Sequence, residues 1–154
     1  MKLRNIAAFM ITTIVCLCAL IAAAQTKPDF TGSWKLNREK SKFERGGPED
    51  LLIKIDHKEP TFAEEWKMTT QNGERSFQAK YTTDGTESEQ EVIGRTAKTS
   101  AKWEGTALVI EFKTEGGFFK RKITLSADGK TITKVVTQSG GNGQTEDTVV
   151  LEKQ

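Results

Sequence analysis

Five dipeptides ending in glycine, Asn72-Gly73, Asp84-Gly85, Glu104-Gly105, Gly116-Gly117 and Asp128-Gly129, punctuate this chain, and between them apolar and polar residues alternate. Gly, Asn and Asp tolerate the positive φ that two-residue hairpin turns require, and a period of two belongs to a strand with one buried face. From Leu51 onward no stretch repeats its apolar residues at the helical period. The pattern predicts ten strands, over 31–37, 51–58, 61–70, 74–83, 86–94, 96–103, 106–114, 118–126, 130–138 and 144–152, joined as a meander. Ten hairpin-linked strands in an open sheet leave two edges, and closure removes them. The expected fold is therefore all-β, a single up-and-down antiparallel barrel. Residues 37–50, broken by Gly46-Gly47-Pro48, are expected to form a short helical turn or loop that serves as a lid or plug, and 139–143 a looser Gly-rich connection.

Residues 1–24 read as a secretory signal peptide. Lys2 and Arg4 precede an apolar run over 6–21, and Ala22 and Ala24 place small residues before Gln25. The length of the run also leaves open an uncleaved anchor. Cleavage leaves one domain, 25–154, of about 130 residues, enough for a real core. It is expected in the periplasm or secreted, as a monomer with no membrane association. Both cysteines, Cys16 and Cys18, lie in the apolar run, so this domain has no disulfide and relies on its core. Of the 23 basic residues, losing Lys2 and Arg4 leaves 21, equal to the 21 acidic ones. A neutral surface has no long-range attraction for phosphate backbones, and nucleic acid is not an expected partner.

Alternation assigns faces, because residues two apart share a side of the sheet. The inward sets include Ile53 and Ile55; Phe62, Trp66 and Met68; Phe77, Ala79 and Tyr81; Ala97, Ala101 and Trp103; Leu108, Ile110 and Phe112; Phe119, Ile123 and Leu125; and Val149 with Leu151. Glu87, Glu89 and Glu91 share one face of the apolar-poor fifth strand and read as a solvated surface. The same parity turns His57, Glu64, Arg75 and Arg121 inward. A buried guanidinium needs an anionic or carbonyl partner. For Arg121 that partner is either a ligand carboxylate or phosphate, or an internal carboxylate such as Glu64.

His57 is the only histidine, and no Gly-x-Ser-x-Gly elbow accompanies it. Its neighbour Asp56 points to the opposite face, so a Ser-His-Asp arrangement is not supported, and an enzyme is not expected. One histidine with no domain cysteine falls short of the ligand sets of zinc or copper sites. His57 reads either as a strand-end residue hydrogen-bonded to a neighbour or as a haem-iron ligand; nothing else in the chain supports haem, and no cofactor or metal is expected.

Phe30-Thr31-Gly32-Ser33-Trp34-Lys35-Leu36 resembles the opening Phe-x-Gly-x-Trp-Lys-Leu of intracellular fatty-acid-binding proteins, members with the lipocalins of the calycin superfamily. Lys102-Trp103-Glu104-Gly105 and Lys120-Arg121-Lys122 extend the likeness weakly. The resemblance implies a ten-stranded barrel closed at its base by Trp34, and it implies that Arg121 anchors a ligand carboxylate. Val149-Val150-Leu151 stands where that family's second anchor, Arg-x-Tyr on the last strand, would fall, and 37–50 is short for its helical lid. Two functions follow. One is a lipocalin-like carrier of a small apolar or amphipathic ligand, bound by Arg121, Arg75, Trp66, Met68, Phe77, Tyr81, Phe112 and Phe119. The alternative is a filled-core envelope interaction or inhibitor module acting through its surface and loops.

Overall fold

Ten strands form where alternation places them: β1 Gly32–Leu36, β2 Asp50–Lys58, β3 Thr61–Thr70, β4 Gly73–Thr82, β5 Ser88–Val92, β6 Arg95–Glu104, β7 Ala107–Thr114, β8 Gly117–Leu125, β9 Thr131–Gly140 and β10 Gly143–Lys153. The structure, a computed structural model, describes residues 26–92, 95–141 and 143–154. The signal segment expected over 1–24, and Ile93 and Gly94 at the end of the expected fifth strand, lie outside the described residues. The strands make one antiparallel sheet ordered β4-β3-β2-β1-β10-β9-β8-β7-β6-β5. Two places depart from simple neighbour-to-neighbour pairing. β1 pairs with β10, setting Trp34 opposite Lys153 and Leu36 opposite Leu151, which joins the two ends of the chain.

The second place corrects the expectation of full closure: β4 and β5 follow each other in the chain yet stand at opposite edges of the sheet. The ladder stops at β4 because residues 83–87 turn toward β6 instead, where Asp84 bridges Lys102 and the Gly85 N–H donates to the Ala101 carbonyl at 2.8 Å. Across the gap the Gln90 side-chain amide donates to the Lys80 carbonyl at 2.6 Å. Glu87, Glu89 and Glu91 are all exposed on this edge, where charge discourages pairing with a foreign strand.

Of the helical turn or loop expected after β1, the structure has the loop, and no helix occurs among the described residues. The segment 37–49 is a strap on β10. Asn37 N–H donates to the Val150 carbonyl, Lys42 exchanges two backbone hydrogen bonds with Thr148, and the Ser41 hydroxyl accepts from Val150 N–H. These bonds occupy backbone groups that a helix would need internally. Phe43 packs against the core, and its ring lies so close over Gly47 that a Cβ there would overlap it. Nor is 139–143 a loose loop, since the β9–β10 ladder runs to Gly140 opposite Gly143.

One end of the barrel is filled. Phe30, Trp34, Phe62, Leu108, Ile123 and Ile132 are completely buried there, with His57 beside them. Trp34 lies across this base, its Nε1–H donating to the Phe30 carbonyl at 2.9 Å. Gly32 has φ +145°, and a Cβ at that position would meet Lys153 Cε at 3.1 Å before reaching Trp34 Nε1 at 3.6 Å. Gly32 thus makes room for the Lys153 side chain, whose ammonium lies 5.4 Å from the Trp34 ring centre. Trp34→Ala removes the largest wholly buried side chain and leaves the Phe30 carbonyl without its donor. Urea unfolding should show a loss of about 3–5 kcal/mol, with Trp34→Phe costing clearly less.

Candidate functional site

Above the filled base, four strands project polar groups into the interior. β3 contributes Glu64, β4 Tyr81, β8 Arg121 and β9 Lys134, and all four side chains are buried. Each shares a face with apolar neighbours two residues away, so the alternation that builds the core also carries these groups inside. Arg121 Nη2 lies 2.5 Å from Glu64 Oε1, and Lys134 Nζ lies 3.5 Å from Glu64 Oε2. Arg121 Nη2 also donates to the Tyr81 hydroxyl at 3.0 Å, and that hydroxyl lies 3.4 Å from Glu64 Oε1.

The electrostatics are unbalanced, with two cations sharing one carboxylate. Burial pushes the Glu64 carboxyl toward its neutral form, but the charges of Arg121 and then Lys134 outweigh burial and keep it below its usual value. Arg121 is held fully charged: burial opposes this, and Glu64 overcomes it. Lys134 yields. Burial pulls its ammonium down, Glu64 only partly restores it, and Arg121 adds repulsion, leaving it at about 8. Burial likewise pushes the Tyr81 phenol upward. Arg121 Nε and Lys134 Nζ have no hydrogen-bond partner, nor has Trp66 Nε1 or Glu64 Oε2.

Aromatic rings wall the cluster. The Arg121 guanidinium carbon lies 5.1 Å from the Trp66 ring centre and 5.0 Å from that of Phe112, and Lys134 Nζ sits 4.3 Å over Trp66. Trp66 stacks on Phe77 at 4.9 Å, and Phe112 meets Phe119 edge to face at 5.5 Å. Toward the end opposite Trp34, Trp66, Met68, Phe77 and Phe119 are only half-buried, and Phe118 is exposed. This is the less covered end of the barrel. Exposed Arg75, opposite Met68, stands at its rim and does not join the cluster.

The other residues singled out from the sequence take unequal roles. Arg121 has the internal carboxylate as its partner, the second of the two options its burial allows, while keeping one N–H unpaired. Sequence reasoning missed Lys134. Its signal was present, because Lys134 alternates with Ile132 and Val136 on the inward face, but lysine at a core position is easily read as a strand-edge residue. His57 is committed to the base: Nδ1 accepts from Phe30 N–H at 3.3 Å and Nε2 lies 3.0 Å from Glu59 Oε1. Both ring nitrogens are therefore engaged, which does not fit a haem ligand. Glu59 also accepts from Lys27, Thr83 and Trp103. Its desolvation raises the carboxyl, and these hydrogen bonds together outweigh it, holding Glu59 at about 2.

A separate shallow groove of about 460 Å³ crosses the outer face of β2, β3 and β4, lined by Lys54, Asp56, Ala63, Glu65, Gln78 and Lys80 among others. Its charges are of both signs, with Lys54 directly opposite Glu65. The interior cluster differs in combining excess charge with unpartnered donors.

No protein-family model matches the chain, and no curated protein matches it in sequence. Solved structures do resemble it. Zebrafish ileal bile acid-binding protein complexed with cholic acid is 20% identical, with a TM-score of 0.58 over 81% of this chain and 98% of that one. The REP1-NXSQ fatty acid transporter is 15% identical, with a TM-score of 0.63 over 82% and 96%. A Schistosoma mansoni fatty acid binding protein in complex with arachidonic acid is 13% identical, with a TM-score of 0.62 over 81% and 96%. At these identities the likeness is one of fold: the chain shares the antiparallel ten-stranded barrel architecture of these structures.

Removing Glu64 strands two buried cations, so Glu64→Ala should cost about 3–5 kcal/mol in urea unfolding, whereas Lys134→Met should be neutral or stabilising. Between about 8 and the ordinary lysine value of 10.5, the unfolded chain keeps a proton that folded Lys134 has released, so this residue makes stability rise with pH. Above 10.0 Tyr81 acts in the opposite sense, because the folded state retains its phenol proton. Stability should therefore climb from about pH 8 to about pH 10, and Lys134→Met should abolish the climb.

Proposed function

We propose that the chain is an exported, lipocalin-like carrier, a monomer and not an enzyme, which binds a small apolar or amphipathic molecule in the barrel with an anionic head group at Arg121 and Lys134. One observation carries this reading: two buried cations share a single carboxylate beneath the less covered, aromatic end of the barrel. An uncompensated buried charge is expensive, and a ligand carboxylate supplies the missing partner. The unpaired Arg121 Nε–H and Lys134 Nζ are the donors that receive it, and charge-assisted bonds of this kind are the strong ones. Half-buried Trp66, Met68, Phe77 and Phe119 offer apolar surface to the rest of the molecule, with Phe112 and Tyr81 deeper and Arg75 at the entrance. Cholic acid and arachidonic acid, named with the structural neighbours, are both amphipathic carboxylates, which supports the same chemistry here.

The competing reading, a filled interior acting through its surface, draws on the fully packed base, which leaves only the upper half for a ligand. Export rests on Lys2, Arg4, the apolar run over 6–21 and the small residues Ala22 and Ala24. N-terminal sequencing of protein recovered from the periplasm or medium should begin at Gln25.

Calorimetry with dodecanoate and dodecanol separates the functional readings. The wild-type protein should bind dodecanoate, and Arg121→Met should weaken that binding about tenfold or more while changing dodecanol binding by less than about twofold. Equal losses for the two ligands would remove the anchor role from Arg121. Failure of both ligands to bind, with no lipid co-purifying, would leave the filled-interior reading.

A further inference from the structure

Lys134 is the one member of the buried cluster whose chemistry goes beyond charge. Arg121 cannot give up its proton in a protein, and Glu64 is already engaged by Arg121 at 2.5 Å. An excess of positive charge in a desolvated site is most readily relieved by deprotonating the amine. A neutral buried amine is a nucleophile toward carbonyl carbon, and desolvation beside a second cation is a known way of activating a lysine for that role. The geometry around Lys134 suits the reaction. Nζ has no hydrogen-bond partner, so its lone pair is uncommitted once the proton is gone. Glu64 Oε2, ion-paired with Nζ at 3.5 Å, can move a proton. The π face of Trp66, 4.3 Å from Nζ, favours a cation at this position. The unpaired Arg121 Nε–H, on the same indole wall, can donate to a carbonyl oxygen.

We propose that Lys134 captures amphipathic aldehydes as a covalent imine, with Glu64 as proton carrier and counterion. The proposal rests on the carrier reading, because the aldehyde must enter through the same less covered end, past Trp66, Phe77 and Phe119. The Nζ lone pair adds to the aldehyde carbon, and the carbonyl π pair moves to oxygen. Glu64 passes the proton lost from nitrogen to that oxygen, giving a carbinolamine. The proton that the Lys134 ammonium gave up before attack returns through Glu64 to the carbinolamine hydroxyl, which leaves as one water while the nitrogen lone pair forms the C=N bond. No oxidant or reductant is consumed. The resulting protonated imine keeps the positive charge at the position where the Lys134 ammonium had it, between Glu64 and Trp66. The charged groups facing this position are Glu64 on β3 and Arg121 on β8, with the Tyr81 phenol on β4. On β10 Asp147 is turned toward the strap, accepting from Glu44 N–H.

The test is incubation of the full domain with dodecanal, trapping with cyanoborohydride, and intact-mass and peptide analysis, run beside dodecanoate binding to the same preparation. The expected result is one dodecyl group per chain, on Lys134, formed at least about tenfold faster than on any surface lysine. Lys134→Arg and Lys134→Met should both lose the adduct. Wild-type protein that binds dodecanoate yet acquires dodecyl groups only at surface lysines, or none at all, overturns the proposal and leaves the carrier reading intact. Protein that takes up neither molecule overturns both.

Discussion

Glu64 holds the barrel together from within. It projects from β3, and its partners come from β8 and β9, which lie on the far side of the sheet order beyond β2, β1 and β10. Because no ladder joins β4 to β5, backbone hydrogen bonding alone does not oblige the sheet to close. The ion pair between Glu64 and Arg121 spans the interior and ties the two halves, with Tyr81 of β4 bonded to the Arg121 end. A buried pair of this kind adds little net stability over an apolar substitute, but separating its members is severely penalised. Its effect is therefore to disfavour any arrangement in which β3 and β8 do not face each other.

A second tie works at the base. Glu59, in the turn between β2 and β3, accepts from Trp103 of β6 and from Thr83 in the segment after β4, while Asp84 bridges Lys102. These contacts close on the gap from below, and the stacked Phe30 and Trp103 rings seal it. The base is thus packed and hydrogen-bonded, while the interior just above it holds excess positive charge and unpartnered donors. That division separates the tightly satisfied end of the interior from the end where polar groups lack hydrogen bonds. The charge of this interior is lopsided even though the last strand carries no cation into it, Val149 and Leu151 facing the core there instead.

Much of this was legible in the chain. Turn glycines and alternation located the ten strands to within a few residues, and parity alone turned Glu64, Tyr81 and Arg121 inward. Parity also applied to Lys134, but a rule based on hydropathy discounts a lysine, so the second cation went unseen. Of the two forms expected after β1, the loop prevails over the helical turn for a different reason: local sequence permits either, while the pairing of the strap with β10 claims its backbone groups from more than a hundred residues away. The open seam between β4 and β5 was equally hidden, because a meander pattern is the same whether or not its last ladder forms.

By itself, then, the amino-acid sequence determined the strands and their inward faces, because both depend on residues close in the chain acting through local geometry and hydrophobic alternation. Tertiary structure decided which charges meet. Whether Arg121 faces a carboxylate, whether Lys134 joins it, and whether the outer edges of β4 and β5 pair are set by strands brought together across the barrel. Coulomb energies and hydrogen bonds act over a few ångströms of space, and distance along the chain carries no record of that.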